Sequence, residues 1–300
     1  MTPCSFTRTL LAAGIALAMV GCPNTVARNP KASMTYFKLG HDYFNRALKS
    51  HNGAGRERYV NVALVELRKS IQNNDLNDHA HFLIALIYVY KGQRSVEEME
   101  VLQCVRGAES ATYRAEANGL MSKALSHLQK AFEIRKEKDS RIALNLSTLQ
   151  LYFKRYKEAE AFARKALADI AYQTPYLARS NIGRAQYHRG RLVGAFGNLK
   201  QATFREPRFC PGHYWLGRVR FAQKKYASAA KIFDKALECC VKAKIGPIQG
   251  ALLYHGMSLA RIGKRQEALA AFAKCVKQAP KSCIAERCSL NLKTASGSKP

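Results

Sequence analysis

The sequence predicts an all-α fold: a superhelical stack of about six helix-turn-helix units with a C-terminal capping helix. Three observations carry this. Ala124, Ala159, Ala195, Ala229 and Ala268 recur at spacings of 35, 36, 34 and 39 residues. A large apolar residue follows most of them four positions on (Leu128, Leu199, Phe233, Phe272), and a small one follows seven on (Ala131, Ala166, Ala202, Ala236, Cys275). Upstream, Gly183, Gly217 and Gly256 mark the matching point on a preceding helix, where a small residue lets two helices cross closely.

The elements follow in chain order. Arg8 precedes an apolar run, Thr9 to Val20, of about a dozen residues, too short to span a membrane but sized for the core of a signal peptide. The run ends in Met19-Val20-Gly21-Cys22, which resembles a bacterial lipobox with Met19 in the usual leucine position. This predicts a signal peptide over 1–21, cleavage between Gly21 and Cys22, and acylation of the Cys22 thiol. The alternative is plain secretion with cleavage elsewhere. Pro23 is not the aspartate that retains such lipoproteins in the inner membrane, so the expected location is the periplasmic face of the outer membrane. Residues 22–32, polar and containing Pro23 and Pro30, read as a lipidated tether.

A period near 34 built from two helices is the mark of a tetratricopeptide-repeat array, predicted here over 33–292. The first repeat, 33–75, carries Tyr36, Leu39, Gly40 and Tyr43, then Ala63, Leu67 and Ile71; Ser50 to Arg58 reads as a loop inserted between its helices. The second, 78–136, is split by about 27 extra residues within 92–121. There, Ser95 to Leu102 and Tyr113 to Leu120 keep helical spacing, so added or lengthened helix is expected. Repeats over 140–171, 176–207, 210–241 and 249–280 are regular, except for Gln150 where the third usually carries an aromatic. Trp215, Phe233 and Phe272 read as core. A last amphipathic helix, 283–292, caps the open end, and 293–300 is a flexible tail.

Of nine cysteines, six lie in the last third of the chain, which in an exported protein points to disulfides. Cys210 opens the first helix of the fifth repeat, and Cys239 and Cys240 close the second, so the two ends of that hairpin lie side by side. Cys275 faces the cap that bears Cys283 and Cys288. The candidates are Cys210, Cys240, Cys275 and Cys288, with Cys239 and Cys283 open as alternatives. No C-x-x-C spacing or accompanying histidine suggests a metal.

The 49 Lys and Arg against 21 Asp and Glu give a net charge of +28, which favours an anionic partner in the broad sense. Nucleic acid is not expected, because no RNA-binding signature or phosphate loop accompanies the charge. No H-E-x-x-H, P-loop or G-x-S-x-G occurs, and the histidines are dispersed, so no catalytic residues, no metal and no cofactor beyond the Cys22 lipid are expected.

In tetratricopeptide arrays the first helices line a concave groove. Applied here, the groove residues are Phe37, His41, Phe44, Phe82 and Leu86, then Arg184, Tyr187, Tyr214, Arg218 and Phe221. The groove starts apolar and becomes basic and aromatic, suiting a peptide segment of a protein partner.

Taken with the lipobox and the array, Tyr172-Gln173-Thr174-Pro175-Tyr176-Leu177-Ala178, Asn181-Ile182-Gly183, Phe209-Cys210-Pro211, Leu216-Gly217, Cys275 with Ala279-Pro280, and Ala285-Glu286-Arg287-Cys288 resemble one group. It is the outer-membrane lipoproteins that assemble the type IV pilus secretin, the pilotin group of Tgl, PilF and PilW. The resemblance covers residues 22 to about 292, best from 140 onward. It implies a monomeric, non-enzymatic scaffold with an outer-membrane secretin as partner and a lipid anchor to the membrane. The long insertion after Tyr88 departs from the group's compact pattern. The alternative is a general periplasmic adaptor that docks peptidoglycan or envelope enzymes at the outer membrane.

Overall fold

The computed structural model describes residues 28–102, 107–242 and 248–296. Gly21 and Cys22, with the signal peptide and the start of the tether, lie outside the described residues. Among the described residues there are thirteen α-helices and no strand. They pair as antiparallel hairpins: α1 (Pro30–Lys49) with α2 (Gly53–Asn73), α3 (Asp78–Leu102) with α4 (Gly107–Ile134), and α5 (Ser140–Tyr152) with α6 (Tyr156–Leu167). There follow α7 (Pro175–His188) with α8 (Leu192–Arg205), α9 (Cys210–Ala222) with α10 (Tyr226–Lys242), α11 (Gln249–Arg261) with α12 (Arg265–Gln278), and the cap α13 (Cys283–Ser296). The fold is a tetratricopeptide superhelix.

Several of the helix starts are capped by a side chain. Asn29, Asn52 and Asp139 accept hydrogen bonds from Ala32 N, Ala54 N and Arg141 N, satisfying amides that have no partner within their helix. Ser282 does the same for Ala285 N in the cap. The turns inside the last four complete hairpins share one left-handed residue: Lys154, Gly190, Lys224 and Gly263, each five positions before the alanine of its repeat. Glycine meets this conformation without strain, while the two lysines carry it at some cost.

Except in the third repeat, where Ala163 stands, the large apolar residue four after the alanine fills the seam of its own hairpin. Leu67, Leu128, Leu199, Phe233 and Phe272 are all fully or almost fully buried. Gly183, Gly217 and Gly256 lie so close to Leu199, Phe233 and Phe272 that an added Cβ would sit 2.6 Å from the facing side chain in each case.

Two features differ from the sequence expectation. The segment 50–58 is not a loop insertion: α1 continues to Lys49 and α2 starts at Gly53, because Asn52 caps a helix that tolerates Gly53 and Gly55 in its exposed first turn. The insertion within 92–121, by contrast, is lengthened helix as its spacing predicts, and adds no separate element among the described residues. It lengthens both arms of one hairpin, to 25 residues in α3 and 28 in α4, with Gly92 in α3 against Met121 in α4. The cap also runs on to Ser296, four residues past its expected end.

Two disulfides between described residues close the C-terminal third, and Cys283 is disulfide-bonded as well. Cys210 pairs with Cys239, with Cα atoms 5.4 Å apart, and Cys275 pairs with Cys288 at 6.2 Å. The choice of Cys240 is therefore corrected. Consecutive helical residues point about 100° apart, and the one aimed at the start of α9 is Cys239, while Cys240 is a buried free thiol.

Candidate functional site

First helices contact the next first helix directly in the pairs α1/α3, α5/α7, α7/α9 and α9/α11. The layer in which neighbours approach most closely is the inner, concave one, so side chains on these helices form the candidate partner-binding face.

Its N-terminal part is only partly open. His41 is exposed and lies 3.3 Å from Asn45 Nδ2, and Phe37 sits between His41 and His79, with ring centres 6.1 and 5.7 Å away. Phe82 and Leu86 are half-buried; Phe82 packs on the N-terminal core and carries Arg141 over its ring. Phe44 is a correction: it is buried in the core, edge-on to Tyr90, because α1 and α3 close over it.

The C-terminal part gathers its residues into one cluster. Arg218, on α9, lies 4.1 Å from the Tyr254 ring centre and 5.3 Å from those of Tyr187 and Trp215. Its Nη1 donates to the Tyr214 hydroxyl at 2.8 Å and its Nη2 to the Tyr187 hydroxyl at 3.0 Å, tying α9 to α7. Arg184, on α7, lies 5.1 Å from the same Trp215 ring. Phe221 packs edge-on against Tyr226 and Tyr254 at the far side. The faces of these rings carry negative potential, which offsets part of the cost of holding guanidinium groups away from water.

The electrostatics are one-sided. Burial pushes the Arg184 guanidinium below its ordinary value. His188, 5.5 Å from Trp215, is lowered first by burial and then by the positive charges of Arg218, Arg184 and Lys154. Among the described residues no carboxylate pairs with Arg184 or Arg218, whereas Glu160 in the neighbouring second-helix layer holds Arg164 and Arg189, each at 2.7 Å.

Trp215, Tyr254 and His188 are the members that sequence reasoning missed. Trp215 reads as core but is half-buried between the two arginines. The available signal was that Trp215 and Tyr254 sit at the same point of consecutive first helices, 39 residues apart. Among the described residues no group of three or more His, Cys, Asp or Glu could hold a metal, and no helix is long and apolar enough to cross a membrane.

The family model for the tetratricopeptide repeat matches residues 250–282, the sixth hairpin. No curated protein matches the chain. Among solved structures it is similar to PilW, a type IV pilus biogenesis factor, with 21% identity over 86% of this chain and 98% of that one and a TM-score of 0.63. It is similar also to PilF of Pseudomonas aeruginosa, with 16% identity, 87% and 97% coverage and a TM-score of 0.57. MamA of Desulfovibrio magneticus RS-1 follows, at 15%, 70% and 95%, with 0.52. At these identities the likeness is one of fold, and it spans nearly the whole array. The chain is a tetratricopeptide-repeat protein whose superhelix is structurally similar to PilW and PilF.

Proposed function

We propose that the protein is a non-enzymatic scaffold that assists assembly of the type IV pilus secretin at the outer membrane. In this reading the lipid on Cys22 holds the array at the periplasmic face, and the concave layer of first helices captures secretin protomers. Anchoring confines bound protomers to the surface where the ring must form, raising their effective concentration without any chemical step.

The observation that carries the proposal is the coincidence, in one chain, of a lipobox-like N-terminus with an unbroken stack of hairpins. The likeness of that stack to two pilus proteins over nearly their full length is consistent with it. Deleting the protein should abolish secretin multimers while secretin monomers persist, as read on a denaturing gel of envelope fractions. Cys22→Ala should reproduce the defect in part, by releasing a folded protein from the membrane. Normal multimers in the deletion strain would overturn the assignment and leave the peptidoglycan-adaptor alternative, for which a gene neighbourhood of cell-wall enzymes is the corresponding sign.

A further inference from the structure

The cluster formed by α7, α9 and α11 is built almost wholly from hydrogen-bond donors. Arg218 uses Nη1 and Nη2 on Tyr214 and Tyr187, but its buried Nε has no acceptor, and the buried Nε of Arg184 has none either. Each tyrosine hydroxyl accepts from Arg218 and still has its own hydrogen to give, yet neither donates to any described residue. Two positive charges share the Trp215 ring, with His188 close by and no carboxylate paired with either. A half-buried guanidinium without a counter-charge is costly, and aromatic faces offset only part of that. What the cluster lacks is a single chemical object: an anionic acceptor flanked by apolar surface.

We propose that this face binds an acidic side chain, Glu or Asp, carried by an extended segment of a protein partner. Arg184 and Arg218 supply the counter-charge, the Tyr187 and Tyr214 hydroxyls supply further donors, and Trp215, Tyr254 and Phe221 receive the apolar residues on either side. A carboxylate fits better than a phosphate backbone. Nucleic acid takes its charge contacts along an exposed basic track, whereas these two arginines are half-buried and set among rings. The proposal rests on reading the first-helix layer as the partner-binding surface and names the chemistry of what that surface selects.

Trp215 is the sole tryptophan, so its fluorescence reports on this cluster alone. The probe is the end-blocked peptide Ac-Leu-Glu-Leu-Asp-Leu-NH2, titrated into the full-length protein alongside its Gln/Asn counterpart. The acidic peptide should shift Trp215 emission saturably and bind at least tenfold more tightly than the neutral one. Binding should weaken as salt rises, and Arg184→Gln and Arg218→Gln should each weaken it about tenfold. Arg287→Gln on the cap should leave it unchanged. The His188 pKa, followed by NMR, should rise on binding, since the charges that depress it become paired.

Arg184→Gln removes an unpaired charge, so the unliganded variant should unfold at the same temperature or higher, and Arg184→Lys should recover part of the binding. Equal binding of the neutral peptide would overturn the proposal. So would a neutral peptide with a free C-terminus binding as tightly as the acidic one, or a single-stranded oligonucleotide that outcompetes it. Loss of stability without loss of binding in Arg184→Gln would assign the residue to architecture alone and equally overturn the idea. Because the probe is not a pilus protein, peptide binding alongside normal secretin assembly in the deletion strain would sink only the pilus reading. Lost secretin assembly with no peptide selectivity would sink only this one.

Discussion

At the residue scale the array is held by crossings in which one partner must be small. A Cβ at Gly217 would lie 2.6 Å from the ring of Phe233, which is fully buried and cannot move into solvent. The third repeat shows the other solution to the same geometry. There the second helix offers only Ala163, and the first helix can carry Ser147, whose hydroxyl donates to Ala159 O at 2.8 Å. The size of one residue therefore sets the size allowed to the other. Gly217→Ala should cost about 1–3 kcal/mol through overpacking, despite the gain in helix propensity that alanine brings. Urea unfolding should show a lowered midpoint with an unchanged slope; an unchanged midpoint would mean the Phe233 ring has room to swing aside.

At the element scale the hairpins were legible in the sequence because their spacing is a periodic signal, repeated from Ala124 to Ala268. What was not legible depended on directions within a turn or on neighbours from other repeats. Gly53-Ala54-Gly55 has the composition of a loop, yet one capping side chain, Asn52, is enough to start α2 there. Cys239 and Cys240 are equivalent by position and are told apart only by how far α10 has rotated when it reaches α9. Trp215 is apolar enough for a core, and only the arrival of arginines from α7 and α9 makes it part of the functional face. The cap is where an element-scale prediction can be made. Helix α13 buries little of itself, chiefly Ala285 and Cys288, and the Cys275–Cys288 bond ties it to α12 across 13 residues of sequence. Opening a loop of that length is worth about 3 kcal/mol in the chain-entropy account. Cys288→Ser should therefore speed amide hydrogen exchange throughout α13 while leaving α5 to α8 protected. Equal protection of α13 with and without the bond would show that packing, together with the disulfide of Cys283, is enough to hold the cap.

At the scale of the whole molecule, the long α3–α4 hairpin joins the N-terminal pair to the regular array, and its seam contains a pair of facing histidines. His81 Nδ1 and His127 Nδ1 lie 2.9 Å apart, so at most one proton can sit between them without repulsion. Burial, His81 and the charge of Arg68 push His127 down to about 4, and burial lowers His81 as well. A histidine lowered in the folded state binds fewer protons than the unfolded chain does, so stability rises with pH over the interval between the two values. The contribution is complete above the ordinary histidine range and is lost as pH falls from about 6.5 to about 4. A shift of that size would correspond to about 3 kcal/mol for a fully shielded group, and roughly half of that once partial solvent access is allowed for. Glu160 extends the loss to lower pH. Burial would raise its carboxyl, but hydrogen bonds from Arg164 and Gln186, with the charges of Arg164 and Arg189, outweigh it and hold the group low. Its stabilisation is present above the ordinary glutamate range and disappears as pH drops through the folded value. Acidification should therefore loosen the array in two places, first between α3 and α4 and then between α6 and α7. Urea midpoints should fall steadily from pH 7 to pH 4 and further below it, and His127→Gln should flatten the slope between about pH 6.5 and 4 while leaving the fall at lower pH intact. A wild-type midpoint constant across that interval would mean that the two rings part and take water as readily in the folded protein as in the unfolded chain.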